Sequence, residues 1–387
     1  MTRIAFAADI HVDAYGSRVD PETGLNARLC DYLATTAWMA EEARRRGAEA
    51  LVIAGDFTER RHPAPWLVSR IRGALSAFPG RQVYLRGNHD GEIAGGSIVT
   101  LLDDGFDEQD EAGRTGISRP RVEPIAFDVV LACIPHLDRH WLRAQPGMEK
   151  VPDAEVFQVL SDQFLTLARG MYAEARADYQ DAACVLVCHQ TLAGAHMSES
   201  QQAFLGDLGL VVDARALAAI GFEGIVAGHL HRHQVVLSGA ITGAGVVLYP
   251  GSIERVDFGE EHEAKGFVIA DVEPGRFEWE FVETPARRFV TVDYASDATG
   301  FPDVEGAVVR AINVEPSVAA DDIHKAMELA GAWDVVSITR LRPDAPEIAG
   351  GLSESLGPLE ALSAYFADYP DAEQLVALGR ELLEAAA

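Results

Sequence analysis

Residues 224–231 read Gly-Ile-Val-Ala-Gly-His-Leu-His, an apolar run that ends in two histidines separated by one leucine. The apolar part predicts a buried strand, and the second glycine permits a tight turn with close backbone approach. His229 and His231 would therefore leave the carboxyl end of this strand together. This stretch is the strongest single indication of a metal site in the sequence, because imidazole nitrogens are common metal ligands.

Four further apolar runs end in a polar cluster. Working outward from residues 224–231, these clusters are Cys188-His189, Gly87-Asn88-His89-Asp90, Gly55-Asp56 and Asp9-x-His11. Each cluster alone has an ordinary explanation, such as turn chemistry or the cap of a core strand. In a parallel or mixed α/β sheet, however, the carboxyl ends of the strands open into one crevice, where residues distant in sequence converge. Five clusters in this order therefore predict one site.

The candidate donors in these clusters are aspartate, asparagine and histidine side chains. This mixture of hard oxygen and borderline nitrogen donors suits Mn²⁺, Fe²⁺ or Zn²⁺. The sequence therefore predicts a metal-dependent enzyme.

The remainder of the chain predicts an α/β fold followed by a smaller unit. Short apolar runs alternate with longer amphipathic ones, which is typical of strands and helices in alternation. We expect a boundary near Thr284-Pro285, then a small α+β unit, and a helical tail beyond Gly350-Gly351. The main predicted strands are 4–8, 51–54, 83–85, 125–134, 184–188, 224–227, 246–249, 266–272, 308–314 and 335–341, and the main predicted helices are 29–46, 66–78, 155–178, 214–220 and 320–330.

Composition and charge limit the possible functions. The 387 residues are 48% hydrophobic and 24% charged, as in an ordinary globular protein. The net charge of −28 argues against binding nucleic acid through a broad basic surface, although metal ions could supply positive charge locally. The four cysteines form no disulfide framework, and no uncharged run approaches the roughly 18 residues of a membrane helix. We therefore expect a cytoplasmic protein with no membrane segment.

The five clusters resemble those of the calcineurin-like metallophosphoesterases, over residues 1–272. A later segment, 249–267, is similar to the SbcD family, the nuclease subunits of SbcC–SbcD DNA-repair complexes; it reads Tyr-Pro-Gly-Ser-Ile-Glu-Arg-Val-Asp-Phe-Gly-Glu at 249–260 and Lys-Gly-Phe at 265–267. The resemblance implies a β-sandwich nuclease domain flanked by helices (1–285), a capping domain (286–349) and a helical tail that binds the ATPase partner (350–387).

The resemblance also implies a site for two divalent metal ions, with Mn²⁺ expected. One ion would be held by Asp9, His11, Asp56 and His231, and the other by Asp56, Asn88, His189 and His229. Asp56 would therefore bridge the two ions.

Two further residues take catalytic roles by the same resemblance. His89 would act as an acid or transition-state stabiliser rather than as a ligand, and Asp90 would be available to orient its ring. One position departs from the family's pattern: Glu59 stands three residues after Asp56, where many members have histidine. His62, one helical turn further on, could reach the same space or lie in an ordinary loop.

The partners implied by the resemblance are DNA, an SbcC-type coiled-coil ATPase and a second copy of the chain. The homodimer would use helices at 66–78 and 93–102. The first carries an apolar stripe of Trp66, Ile71, Leu75 and Phe78, although such a stripe more often belongs simply to the core. In the tail, two apolar stripes must be covered by the protein itself or by a partner; they comprise Leu359, Leu362, Tyr365 and Phe366, then Leu375, Leu378, Leu382 and Leu383. The resemblance favours the ATPase as that partner.

Two other functions remain open at this point. A phosphodiesterase or phosphatase of small substrates would share the five clusters, but it would need neither segment 249–267 nor the C-terminal third of the chain. A catalytically inactive scaffold that tethers the ATPase to DNA is disfavoured, because every implied metal ligand is present.

Overall fold

The computed structural model describes residues 1–91, 98–102, 113–198, 201, 210–238, 245–294, 302–340, 363 and 372–385. The strands are β1 Thr2–Ala7, β2 Ala50–Ile53, β3 Arg81–Leu85, β4 Arg114–Ile117, β5 Arg121–Ala126, β6 Val129–Ile134, β7 Ala183–His189, β8 Thr191–Leu192, β9 Val211–Val212, β10 Gly224–Gly228, β11 Gln234–Leu237, β12 Val246–Tyr249, β13 Gly266–Glu273, β14 Arg276–Glu283, β15 Phe289–Asp293, β16 Val308–Val314 and β17 Asp334–Arg340. The helices are α1 Ala27–Arg45, α2 Pro65–Leu75, α3 Ile98–Leu102, α4 Arg139–Arg143, α5 Val156–Asp178, α6 Ala214–Ala218, α7 Ala320–Leu329 and α8 Ala372–Ala385.

Two six-stranded sheets form a sandwich. Their strand orders are β14-β13-β1-β2-β3-β4 and β11-β12-β10-β7-β6-β5. A fully buried apolar layer draws on both sheets, with Phe6 and Val52 from the first and Leu131 and Val185 from the second. Burial of this layer on both sides explains why these strands are continuous apolar runs rather than alternating ones.

Helices cover the outer face of each sheet. The first sheet packs against α1, α2 and α3 through a second apolar cluster, and the other sheet packs against α4, α5 and α6 through a third. Helix α1 begins where the side chain of Asn26 accepts a hydrogen bond from the amide of Leu29, and it ends before Gly47, which has a positive φ of 78°. The predicted sandwich flanked by helices is confirmed.

Parallel pairing brings the candidate site residues to one edge. Strands β1, β2 and β3 pair in parallel in the first sheet, and β6, β7 and β10 do so in the second. The carboxyl ends of parallel neighbours lie side by side, so the loops that follow them meet.

One predicted strand is wrong in its extent. The run 125–134 is not a single strand but the end of β5 and the whole of β6, which pair antiparallel. The chain reverses at Phe127, whose side chain is fully exposed. An apolar residue at the tip of a turn therefore made two strands resemble one.

The stripe on α2 belongs mainly to the core. Ile71, Leu75 and Phe78 are buried beneath the first sheet, whereas Trp66 is 51% exposed. The predicted dimer helix 93–102 lies partly outside the described residues, which include only 98–102 of it. The homodimer itself stays a prediction.

A separate three-stranded sheet, in the order β15-β16-β17, begins at Phe289. Its strands are parallel, and Ile323 and Met327 of α7 are buried with Val309 and Val314 beside it. Beyond it, α8 is helical as predicted, whereas the first tail stripe, residues 359–366, lies outside the described residues apart from Ser363. In the described chain, no helix has the length and apolarity that crossing a membrane requires.

Candidate metal centre

The ends of five buried strands deliver the predicted ligands to one place. They follow or terminate β1, β2, β3, β7 and β10, and they are Asp9, His11, Asp56, Asn88, His189, His229 and His231. The structure brings all seven together across the edge of the sandwich.

The first cluster consists of Asp9, His11 and His231, which can each offer a ligand atom within 4.8 Å of the others. The Nε2 atoms of His11 and His231 are 3.0 Å apart, and their rings lie 4.7 Å from centre to centre. Two imidazole nitrogens this close to a buried carboxylate are suited to holding a cation between them.

The second cluster consists of Asp56, His189 and His229, again with ligand atoms within 4.8 Å. Asn88 completes it, because its Oδ1 lies 2.9 Å from both His189 Nε2 and His229 Nδ1.

Asp56 lies between the two clusters. Its Oδ2 is 3.2 Å from His189 Nε2 in the second cluster and 3.7 Å from His11 Nε2 in the first. This is the position that the predicted bridging role requires. The donor set of carboxylate, amide and imidazole groups fits two divalent transition-metal ions, as the sequence predicted.

The backbone at these residues is strained. Asp9, His11, Asp56 and His229 have φ values of 52°, 48°, 53° and 99°, in the region that glycine favours. Such conformations cost of order 1–3 kcal/mol each and persist only where the surroundings enforce them. Here the amides of Asp9 and His11 donate to the carbonyls of Gly55 and Asp56, both at 3.0 Å, which locks the two loops together.

Glycine is required at the same place because the loops approach so closely. A Cβ atom on Gly87 would lie 2.1 Å from Asp56 Oδ1, and one on Gly55 would lie 2.2 Å from His189 Nδ1. The same close approach, predicted for Gly228, is confirmed there, since a Cβ atom on Gly228 would lie 2.0 Å from the backbone oxygen of Ala54.

The ligands are buried, and their charges act strongly on one another. Burial lowers the pKa of His11, but the hydrogen bond to Glu59 and the nearby aspartates raise it to about 9. His189 behaves alike: burial is outweighed by Asp56 and Asp9, and its pKa rises to about 9. For Asp56 the histidines outweigh burial and hold the pKa of the carboxyl well below its usual range. The site thus places the ionised Asp56 carboxylate beside the protonated imidazoles of His11 and His189, whose protons a bound cation would replace.

The hydrogen bonds that Asp90 makes go to the backbone rather than to the His89 ring that it was predicted to orient. Its carboxylate is buried, and it accepts hydrogen bonds from the amides of Asp56, Phe57 and Gly87 at 2.8, 2.9 and 2.9 Å. Burial and the charge of Asp56 raise its pKa to about 7. Asp90 therefore holds together the backbone of the loops after β2 and β3.

Glu59, the departure from the family's pattern, lies beside the His89 ring, whose Nδ1 is 3.3 Å from the Glu59 backbone carbonyl oxygen. Its Oε2 lies 2.8 Å from His11 Nδ1, and its Oε1 lies 3.5 Å from His89 Nδ1. The backbone amide of His89 donates to Asp56 Oδ1 at 2.9 Å, while its side chain is 33% exposed. His62, the alternative occupant, is exposed.

Two residues at the site were not predicted. His136 follows β6, the parallel neighbour of β7, and its ring lies 6.0 Å from that of His189 and 5.9 Å from that of His229. Burial lowers its pKa to about 4. The sequence carried a signal for His136, since the pair Pro135-His136 directly follows the predicted strand 125–134. The other residue is Glu260, whose Oε1 is 2.5 Å from His231 Nδ1.

A sandwich whose strand ends bring carboxylate, amide and imidazole donors into two adjoining clusters is typical of metal-dependent hydrolases. Residues 2–233 match the model of the calcineurin-like phosphoesterase family. The chain therefore belongs to the calcineurin-like phosphoesterases.

Two solved structures resemble this fold at low identity. One is a dimetal phosphatase from Danio rerio, with 10% identity, a TM-score of 0.46, and coverage of 73% of this chain and 97% of that one. The other is a protein of Thermus thermophilus, with 12% identity, a TM-score of 0.40, and coverage of 72% and 98%. No curated protein matches the sequence.

Proposed function

We propose that this phosphoesterase is a metal-dependent DNA nuclease that acts with an SbcC-type coiled-coil ATPase in DNA end processing, repair or recombination. The observation that carries the proposal is the placement of segment 249–267, whose sequence resembles the SbcD nucleases. The segment runs from the end of β12 in one sheet to the start of β13 in the other. On the way, Glu260 contacts the candidate ligand His231. The part of the sequence that is similar to the nuclease subunits is therefore part of the site.

The residues of the two clusters would hold two divalent ions, with Mn²⁺ as the proposed metal. One ion would be bound by Asp9, His11, Asp56 and His231, and the other by Asp56, Asn88, His189 and His229. When bound, two such ions would supply an activated water and charge stabilisation for the attacking and leaving oxygens of a phosphodiester.

His89 is the proposed acid for the leaving oxygen. Its partly exposed ring lies beside His11, 5.1 Å from centre to centre, so it borders the first cluster without belonging to the proposed ligand sets. The backbone carbonyl oxygen of Glu59 lies 3.3 Å from Nδ1, which leaves Nε2 as the nitrogen for the proposed contact with a substrate. An imidazole is suited to this role because its ordinary pKa lies near neutral pH.

The charge of the protein indicates how DNA would be held. With a net charge of −28, the isolated chain offers little general attraction for DNA. Among the arginines that flank the site, Arg255 is engaged with the carbonyl oxygens of Glu260 and Glu263, whereas Arg60 is 68% exposed beside Asp13. We therefore propose that the ions and exposed arginines bind phosphate locally, while the ATPase supplies most of the DNA affinity.

The tail is the proposed contact with the ATPase. Within α8, Leu378 is 54% exposed and Leu375 is half-buried, so an apolar stripe begins on a helix that carries charged residues between its leucines. An amphipathic helix laid into an apolar groove is a common mode of peptide recognition.

The test is digestion of linear duplex DNA with Mn²⁺ by the full chain, with and without an SbcC-type ATPase and ATP. We expect weak cleavage by the chain alone and ATP-stimulated cleavage with the partner. A truncation that ends at residue 349 should keep hydrolysis of an aryl phosphodiester but lose both the stimulation and co-purification with the ATPase. D56N should abolish all cleavage, which controls for a contaminating nuclease.

Two results would contradict the proposal. Hydrolysis of small phosphodiesters without cleavage of DNA under any of these conditions would identify a small-substrate phosphodiesterase. Tight DNA binding by the isolated chain at physiological salt would refute the division of DNA affinity between the chain and its partner.

A further inference from the structure

A buried ion pair lies behind His231, outside the residues that match the family model. Glu260 and Lys265 have fully buried side chains, and Lys265 Nζ is 2.9 Å from Glu260 Oε2. Burying two charges costs several kcal/mol per ion, and replacing such a pair with apolar residues is often stabilising. Stability of the fold alone is therefore a weak reason for charges at this position.

The contacts of Glu260 point to the metal centre. Its Oε1 accepts from Nδ1 of His231 at 2.5 Å, and its Oε2 accepts from the amide of Val256 at 3.0 Å. Since a carboxylate paired with lysine only accepts hydrogen bonds, the proton of His231 is fixed on Nδ1. Nε2 is then left as the free nitrogen, and it is the atom that lies 3.0 Å from His11 Nε2 in the first cluster.

Lys265 fixes both partners in this contact. Its ammonium lies against Glu260 Oε2 and also donates to the backbone carbonyl of His231 at 3.2 Å. A third bond goes to Glu263 Oε2 at 2.9 Å. Lys265 therefore contacts both the Glu260 carboxylate and the backbone of His231, whose ring that carboxylate orients.

The two clusters differ in the groups that form hydrogen bonds with the Nδ1 atoms of their histidines. In the second cluster, His189 Nδ1 donates to the neutral carbonyl of Ala54 at 2.7 Å. In the first cluster, His11 has the Glu59 carboxylate and His231 has the Glu260 carboxylate. Carboxylates behind metal-ligating histidines fix the ring and raise the basicity of the ligand nitrogen.

We infer that Glu260, held by Lys265, is a positioning residue for His231 and that the affinity of the first cluster for its ion depends on it. The inference rests on the ligand set given under Proposed function. Losing such a partner typically lowers metal affinity about 10- to 100-fold. The affinity of the second cluster should change little, because the described contacts of Glu260 reach His231 and not the second cluster's ligands.

The test compares E260A with E263Q in the metal-stripped full chain, by calorimetric titration with Mn²⁺. Glu263 is a matched control, since it also binds Lys265 at 2.9 Å and its side chain is only 12% exposed, but its carboxylate bonds to Lys265 rather than to His231. We expect E260A to lose about 10- to 100-fold in affinity at one of two sites. E263Q should stay within about twofold of the wild type at both.

The outcomes separate this inference from the ligand set. Wild-type affinities in E260A, or equal losses in E260A and E263Q, would overturn the role of Glu260 and leave the ligand set standing. Wild-type protein that binds a single ion would overturn the ligand set itself. If melting in EDTA shows that E260A is unfolded, E260M combined with K265M keeps the approximate volume and removes both charges together with the acceptor for His231 Nδ1. A selective loss at one site then supports the inference, and unchanged affinities refute it.

Discussion

Replacing Asp90 with alanine separates a structural role from a catalytic one. The Asp90 carboxylate is buried, and it accepts hydrogen bonds from the backbone amides of Asp56, Phe57 and Gly87. D90A would leave all three amides without this acceptor. Asp56 would be affected most directly, since its φ of 53° requires support from its surroundings.

The size of the effect follows from the number of amides. A buried donor left without a partner costs about 1–3 kcal/mol, so three of them give about 3–9 kcal/mol. Water entering the small space vacated by the carboxylate reduces this, and we expect a loss near 3 kcal/mol. Such a loss is a large share of the 5–15 kcal/mol that stabilises a typical domain. It corresponds to a fall in melting temperature of roughly 4–5 °C for a chain of this size.

The assay is thermal unfolding in EDTA, which removes any stabilisation by bound metal. D90N serves as the comparison, because its amide oxygen, in the place of Oδ2, can still accept the two hydrogen bonds from Asp56 and Gly87, and its melting temperature should lie between those of D90A and the wild type. The reasoning would be refuted if D90A melted like the wild type while turnover fell. That result would instead restore Asp90 as the partner of the His89 ring.

Three further predictions concern the site and the helices. H89S should retain two bound Mn²⁺ ions, measured by titration, while it loses most of its turnover. D56A should lose metal and activity together. Loss of an ion from H89S would contradict the proposed ligand set. E59A should lower the affinity for one of two Mn²⁺ ions about 10- to 100-fold in a calorimetric titration, because the Glu59 carboxylate bonds to Nδ1 of the proposed ligand His11 at 2.8 Å; affinities equal to those of the wild type at both sites would exclude this role. L75E should unfold the protein because Leu75 is buried, whereas W66E should leave the melting temperature within a few degrees of the wild type. If light scattering instead showed L75E to be a folded monomer, the stripe on α2 would be a dimer interface.

The sequence alone determined the layout of the sandwich to a large extent. Strands buried on both faces must be continuous apolar runs, and the runs that became β1, β2, β7, β10 and β12 were recognisable for that reason. The clusters that end them were recognisable as well, since parallel strands place their carboxyl ends at one edge. All seven predicted ligands lie there.

Only the tertiary structure decided which side chain acts on which. Asp90 adjoins His89 in sequence, yet its carboxylate turns to the backbone amides, while Glu59, 30 residues earlier, lies beside the His89 ring. Adjacent residues on a turn point in different directions, so sequence proximity says little about contact. The strained backbone at Asp9, His11, Asp56 and His229 depends likewise on the packing of separate loops.

Sequence proximity also says little about the residues that contact the ligand histidines without being ligands themselves. His136 follows a strand whose neighbour in the sheet is known only once the sheet has formed, and Glu260 reaches His231 from 29 residues away. In a sequence, Glu260 and Lys265 resemble ordinary solvated charges. Their burial against each other and against a ligand arises only when the chain crosses from one sheet to the other, and that crossing is a property of the assembled sandwich.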